Sequence, residues 1–175
     1  RNVARTTSPR TTANGTSATV IYSGDAQTVD PVAYRSLTLS GSGAKTLTSV
    51  TTINSNLTLS GTATATTAAN LAIGGNLDVG NGTTLTVAGF TIGVTRSTTV
   101  KGTLTHNNAT GTKTYTGAVT INNGGVFSET AAAQLAFGGN VTISNGATLT
   151  EFGAAVVGVA GNFRNDGTYT ASTGV

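Results

Sequence analysis

Apolar and polar residues alternate along this chain in short runs, and the runs recur. Ser36-Leu37-Thr38-Leu39-Ser40-Gly41 returns as Asn56-Leu57-Thr58-Leu59-Ser60-Gly61 and as Asn76-Leu77-Asp78-Val79-Gly80. It returns again as Ala118-Val119-Thr120-Ile121-Asn122 and as Asn140-Val141-Thr142-Ile143-Ser144, with weaker copies at Ser97-Thr98-Thr99-Val100 and Asn162-Phe163-Arg164-Asn165. Alternation of period two predicts a strand with one buried face. The Gly, Asn and Ser residues that follow predict turns. The copies are about 20 to 22 residues apart, the spacing at which a repeat means a solenoid.

Each repeat has three such runs. The second reads Thr46-Leu47-Thr48, Thr62-Ala63-Thr64, Thr84-Leu85-Thr86, Thr103-Leu104-Thr105, Thr148-Leu149-Thr150 and Thr168-Tyr169-Thr170. Its middle residue is expected to point inward and its threonines outward, because successive strand side chains face opposite ways. The third is apolar: Leu71 and Ile73, Ile92 and Val94, Leu135 and Phe137, Val157 and Val159. Three strands and three turns per repeat predict an all-β fold, a right-handed parallel β-helix. A β-sandwich would also use strands at this density, but it has no reason to repeat its residues. The expected core ladder is Leu37/Leu39, Leu57/Leu59, Leu77/Val79, Val119/Ile121 and Val141/Ile143. Residues 17–175 make about seven coils, open at the C-terminal end, and residues 1–16, with Arg1, Arg5 and Arg10, read as an extended arm or linker. No polar cap is legible at either end, and solenoids need caps for solubility. A longer chain, or docking of the open ends on other subunits, is the expectation that follows.

Composition agrees with strands and turns. Roughly a fifth of the residues are Thr, and 24 are Gly. Charged residues are 9%, against about 25% in an average domain. The net charge of +3 rests on scattered cations, with no basic run of the kind a nucleic-acid binder carries. There is no Cys, hence no disulfide or thiol chemistry. No apolar stretch approaches the 18 residues of a membrane span.

Chemistry is sparse. The acids Asp25, Asp30, Asp78, Glu129, Glu151 and Asp166 fall in different coils and read as solvated surface charges. Glycoside hydrolysis needs two carboxyls about 5–10 Å apart. Asp78 belongs to an outward column, Thr38, Thr58, Asp78, Thr99, Thr120, Thr142, Arg164, with no acidic neighbour. His106 is the one histidine; it reads as a turn residue without a nearby acid. Gly74-Gly75-Asn76-Leu77-Asp78 does not match the calcium-binding β-roll frame. We therefore expect no catalytic, cofactor or metal site and no enzyme. Thr62, Thr64, Thr84, Thr86, Thr103, Thr105, Thr148 and Thr150 form a candidate surface ladder, broken near Val126-Phe127-Ser128.

The repeats Tyr34-Arg35-Ser36-Leu37-Thr38-Leu39-Ser40-Gly41 and Gly75-Asn76-Leu77-Asp78-Val79-Gly80-Asn81-Gly82 are similar to those of bacterial surface and secreted β-solenoids. The likeness is to adhesins and autotransporter passengers, and most to the repetitive exoproteins of Bacteroidota. It implies an extracellular or cell-surface stalk, fibre or filament subunit that associates with itself. Its alternative is an adhesin segment binding glycans or a neighbouring cell. A smaller alternative, from the Thr-x-Thr face, is ice binding.

Overall fold

The structure, a computed structural model, describes residues 2–5, 18–152 and 157–171. It is an all-β parallel solenoid with three strands per coil, each pairing with its counterpart one coil away. Sheet 1 has nine strands in the order Asn2–Arg5, Thr19–Tyr22, Ser36–Leu39, Leu57–Leu59, Leu77–Val79, Thr98–Val100, Val119–Ile121, Val141–Ile143 and Phe163–Asn165. Sheet 2 has eight, from Gln27–Thr28 through Ala44–Leu47, Thr64–Thr67, Thr84–Val87, Thr103–His106, Val126–Glu129 and Thr148–Thr150 to Thr168–Thr170. Sheet 3 has six, from Thr52–Ile53 through Leu71–Ile73, Ile92–Val94, Lys113–Tyr115 and Leu135–Phe137 to Val157–Val159. Asn2–Arg5 lies in the stretch that sequence alone reads as an arm, yet it pairs in parallel with Thr19–Tyr22. The rest of residues 1–16 lies outside the described residues.

The register explains the interior. Leu37 pairs with Leu57, Leu57 with Leu77, Leu77 with Thr98, Thr98 with Val119 and Val119 with Val141. A second column in step holds Leu39, Leu59, Val79, Val100, Ile121 and Ile143. All are buried. With strands stacked about 4.8 Å apart, like residues sit over like, and a one-residue slip would turn every Leu to solvent.

Corners are set by glycine and small residues. Gly41, Gly61, Gly82, Gly124 and Gly146 have φ between 69° and 77°, a left-handed conformation that costs other L-residues about 1–2 kcal/mol. At Gly61 an added Cβ would also run into the Gly41 carbonyl oxygen of the preceding coil. The next corner column, Ala63, Thr83, Gly102, Gly125 and Ala147, faces inward and is buried. There the narrow prism has room only for small side chains.

That corner corrects one expectation. Thr62 is a turn residue that donates its amide to the Gly41 carbonyl at 2.8 Å, and the strand begins at Thr64. Thr66 therefore takes the place given to Thr62, since Thr64 pairs with Thr84 and Thr66 with Thr86. In Thr62-Ala63-Thr64-Ala65-Thr66 the alternation fits two registers equally, and only the turn decides between them. One coil earlier the strand is Ala44–Leu47, so Lys45, not Leu47, is in register with Ala65.

Candidate functional site

Two faces and one interior cluster hold the polar chemistry. The outer face of sheet 2 carries two ranks. Thr64, Thr84, Thr103, Val126, Thr148 and Thr168 form one; Thr66, Thr86, Thr105, Ser128, Thr150 and Thr170 form the other. Val126 and Ser128 interrupt the threonines without interrupting the strand pairing. Sheet 1 presents the outward column Thr38, Thr58, Asp78, Thr99, Thr120, Thr142, Arg164, all in register.

The interior holds charges that composition alone does not suggest. Lys45 and Lys113 are 1% and 0% exposed. Their ammonium groups end in cages of main-chain carbonyls. Lys113 Nζ donates to Phe90 O and Thr110 O at 2.7 Å each and to Gly111 O at 3.1 Å. Lys45 Nζ donates to Ser42 O at 2.8 Å and to the carbonyls of Gly24 and Asp25 one coil away. The two cages share a local frame, Ser42-Gly43-Ala44-Lys45 and Thr110-Gly111-Thr112-Lys113, with Gly43 and Gly111 at φ of 68° and 75°. The glycine swings the chain so that the carbonyl three residues before the lysine faces its own ammonium. Burial lowers the pKa of both lysines, opposed by Asp25 at Lys45 and by Glu129 at Lys113. A buried cation persists when hydrogen bonds replace its water, and these carbonyls do so.

Next to Lys113 lies a second buried group. His106 ends the strand Thr103–His106, is fully buried, and is in register with Glu129. This corrects the reading of His106 as a turn residue without a nearby acid. Its Nε2 lies 2.7 Å from the Tyr115 hydroxyl, and its ring packs 5.0 Å from Phe127. Desolvation, then the Lys113 charge, pushes the His106 pKa down to about 3, against a smaller pull from the Ser128 backbone. Burial raises Tyr115, so the pair is neutral imidazole and neutral phenol. Tyr115 stacks on Phe137 and meets Phe127 edge-on, completing an aromatic block.

Glu129 and Glu151 are not the solvated charges expected of them; Glu129 is fully buried and Glu151 is 9% exposed. Glu129 accepts backbone amides from Ala131 and Ala133 at 2.7 and 2.8 Å on one oxygen, and from Phe152 at 3.0 Å on the other. Glu151 accepts the Tyr169 hydroxyl at 2.7 Å; burial first, then this hydrogen bond and the Glu151 charge, raise Tyr169 to about 12. Asp30 is buried as well. These groups fasten loops and coil ends from inside. Among the described residues, no three His, Asp or Glu side chains are placed to hold a metal ion.

A further feature, apolar in character, is the coil made by Val157–Val159, Phe163–Asn165 and Thr168–Thr170. Phe163 and Tyr169 continue the inward columns of Val141 and Leu149. They are 43% and 37% exposed, where Val141 and Leu149 are buried. The two rings meet edge-on, 5.2 Å apart. With this geometry described, comparison with known proteins adds no relative: no protein family, no curated protein and no solved structure matches the chain.

Proposed function

We propose that this chain is a rod segment of a bacterial extracellular stalk, fibre or filament, and that the rod lengthens by stacking a further coil of the same kind on the face of Phe163 and Tyr169. The observation that carries this reading is the repetition: like residues stack on like through every described coil, Phe163 over Val141 and Tyr169 over Leu149 included. Buried apolar surface contributes about 25 cal/mol per Å², so the inward-column rings Phe163 and Tyr169 favour a further coil over them, from this chain or from another copy. Three strands of that coil also present ladder groups that pair nowhere else among the described residues, the template on which strands add.

The turns support the same reading. Asn56 Oδ1 accepts the amide of Asn76 at 2.9 Å, Asn76 Oδ1 that of Ser97 at 3.2 Å, and Asn140 Oδ1 that of Asn162 at 2.9 Å. Each turn Asn thus binds the coil that follows, and Asn162 is the next acceptor in that series. Continuous ladders around a closely packed interior resist bending and proteolysis, as stacked cross-β structures do. The extracellular placement rests on the likeness of the repeats to bacterial exoproteins and on the absence of Cys.

Sedimentation across a concentration series tests the docking face. The chain is expected to form end-to-end oligomers that Phe163→Asp reduces to monomers, with circular dichroism unchanged. A wild-type monomer at every concentration overturns the reading.

A further inference from the structure

Sheet 1 carries a notch of about 210 Å³ on its outer face, lined by Asn56, Thr58, Asn76, Asp78, Ser97 and Thr99. Asp is among the poorest strand residues, yet it occupies the middle of this strand in a column otherwise mostly Thr. Asp78 Oδ1 is closed to solvent and has no hydrogen-bond partner, a state that costs free energy. The terminal carboxylate torsion is broad, so rotation can bring that oxygen to a donor entering the notch.

The neighbouring groups define what could enter. The amide oxygens of Asn56 and Asn76 are spent on the backbone of the next coil. Their Nδ2 groups remain as donors beside the carboxylate, and the Thr58 and Thr99 hydroxyls flank it in register. One carboxylate with no free amide oxygen is a poor cage for calcium, which takes six to eight oxygens. The carboxylate disfavours anions. Adjacent acceptors and donors match a molecule whose neighbouring hydroxyls each donate one hydrogen bond and accept another. The notch is smaller than a drug-sized pocket and suits a single ring.

We propose that this notch binds a neutral saccharide through two adjacent hydroxyls of one sugar ring, with Asp78 accepting and the Asn56 and Asn76 amides donating. The site lies on the side of the rod and leaves the end face free. Heteronuclear NMR titration of the folded chain with a panel of neutral methyl hexopyranosides tests it. At least one is expected to shift the amide signals of residues 76–78 and 97–99 saturably. Asp78→Thr restores the residue type of the column and keeps the strand; it is expected to weaken that binding at least tenfold. No saturable shift with any sugar, equal binding by Asp78→Thr, or a response to calcium chloride alone overturns the proposal.

Discussion

Lys113 shows how a polar residue can be a core residue in this fold. Its ammonium replaces bulk water as donor to carbonyls from two coils, and removing it would strand them. Lys113→Ala is expected to lower stability by roughly 2–4 kcal/mol, read as a shift in urea midpoint with unchanged slope. Lys101→Ala, at an exposed turn, should stay within about 0.5 kcal/mol. His106 gives the molecule an acid limit. Its pKa is about 3 folded against 6.5 for a free histidine. Above pH 6.5 both states are neutral and nothing is lost. As pH falls from 6.5 toward 3 the unfolded chain takes up the proton and the folded one does not. Stability should then drop by about 1.4 kcal/mol per pH unit from this group. Urea titrations should show stability flat above pH 7 and the slope approaching that value between pH 6 and 5, and His106→Val should flatten it. The lysine positions were legible: Ala44-Lys45-Thr46-Leu47 and Thr112-Lys113-Thr114-Tyr115 place Lys at the apolar beat of the alternation. The cages were not, because they are closed by carbonyls of other coils, which no local pattern encodes.

At the scale of the strand and its corner, the period of 20 to 22 residues carried nearly all of the architecture. The apolar beats at Leu37, Leu57 and Leu77 are the columns of sheet 1 because a buried face cannot slip by one residue. The pattern failed where it was degenerate. Thr62 and Thr66 compete for one rank, and the left-handed Gly61 settles the matter by placing Thr62 in the turn. Gly61→Ala should therefore lower the melting temperature through both strain and collision with the Gly41 carbonyl. Gly93 is the opposite case. It sits inside the strand Ile92–Val94, faces outward, and a Cβ there would touch nothing. Gly93→Thr should raise stability by about 0.4–1 kcal/mol by restricting the unfolded chain and suiting the strand. Paired thermal melts of the two variants check the contrast, and equal shifts would mean that the corner is not where the coil is fixed.

The molecule as a whole is a stack in which every coil is both floor and ceiling. The function proposed for it rests on that repetition more than on any one cleft. Coil number and direction could be read from residue spacing. The chemistry of the face that carries Phe163 and Tyr169 was not legible, because it is read from exposure and not from spacing. Electron micrographs of the purified chain test the central claim most directly. One copy, with nine strands stacked in sheet 1, should measure about 40 Å along its axis, and larger particles should grow in multiples of that length at constant width. Particles that stay one copy long, or that broaden instead of lengthening, would contradict the account.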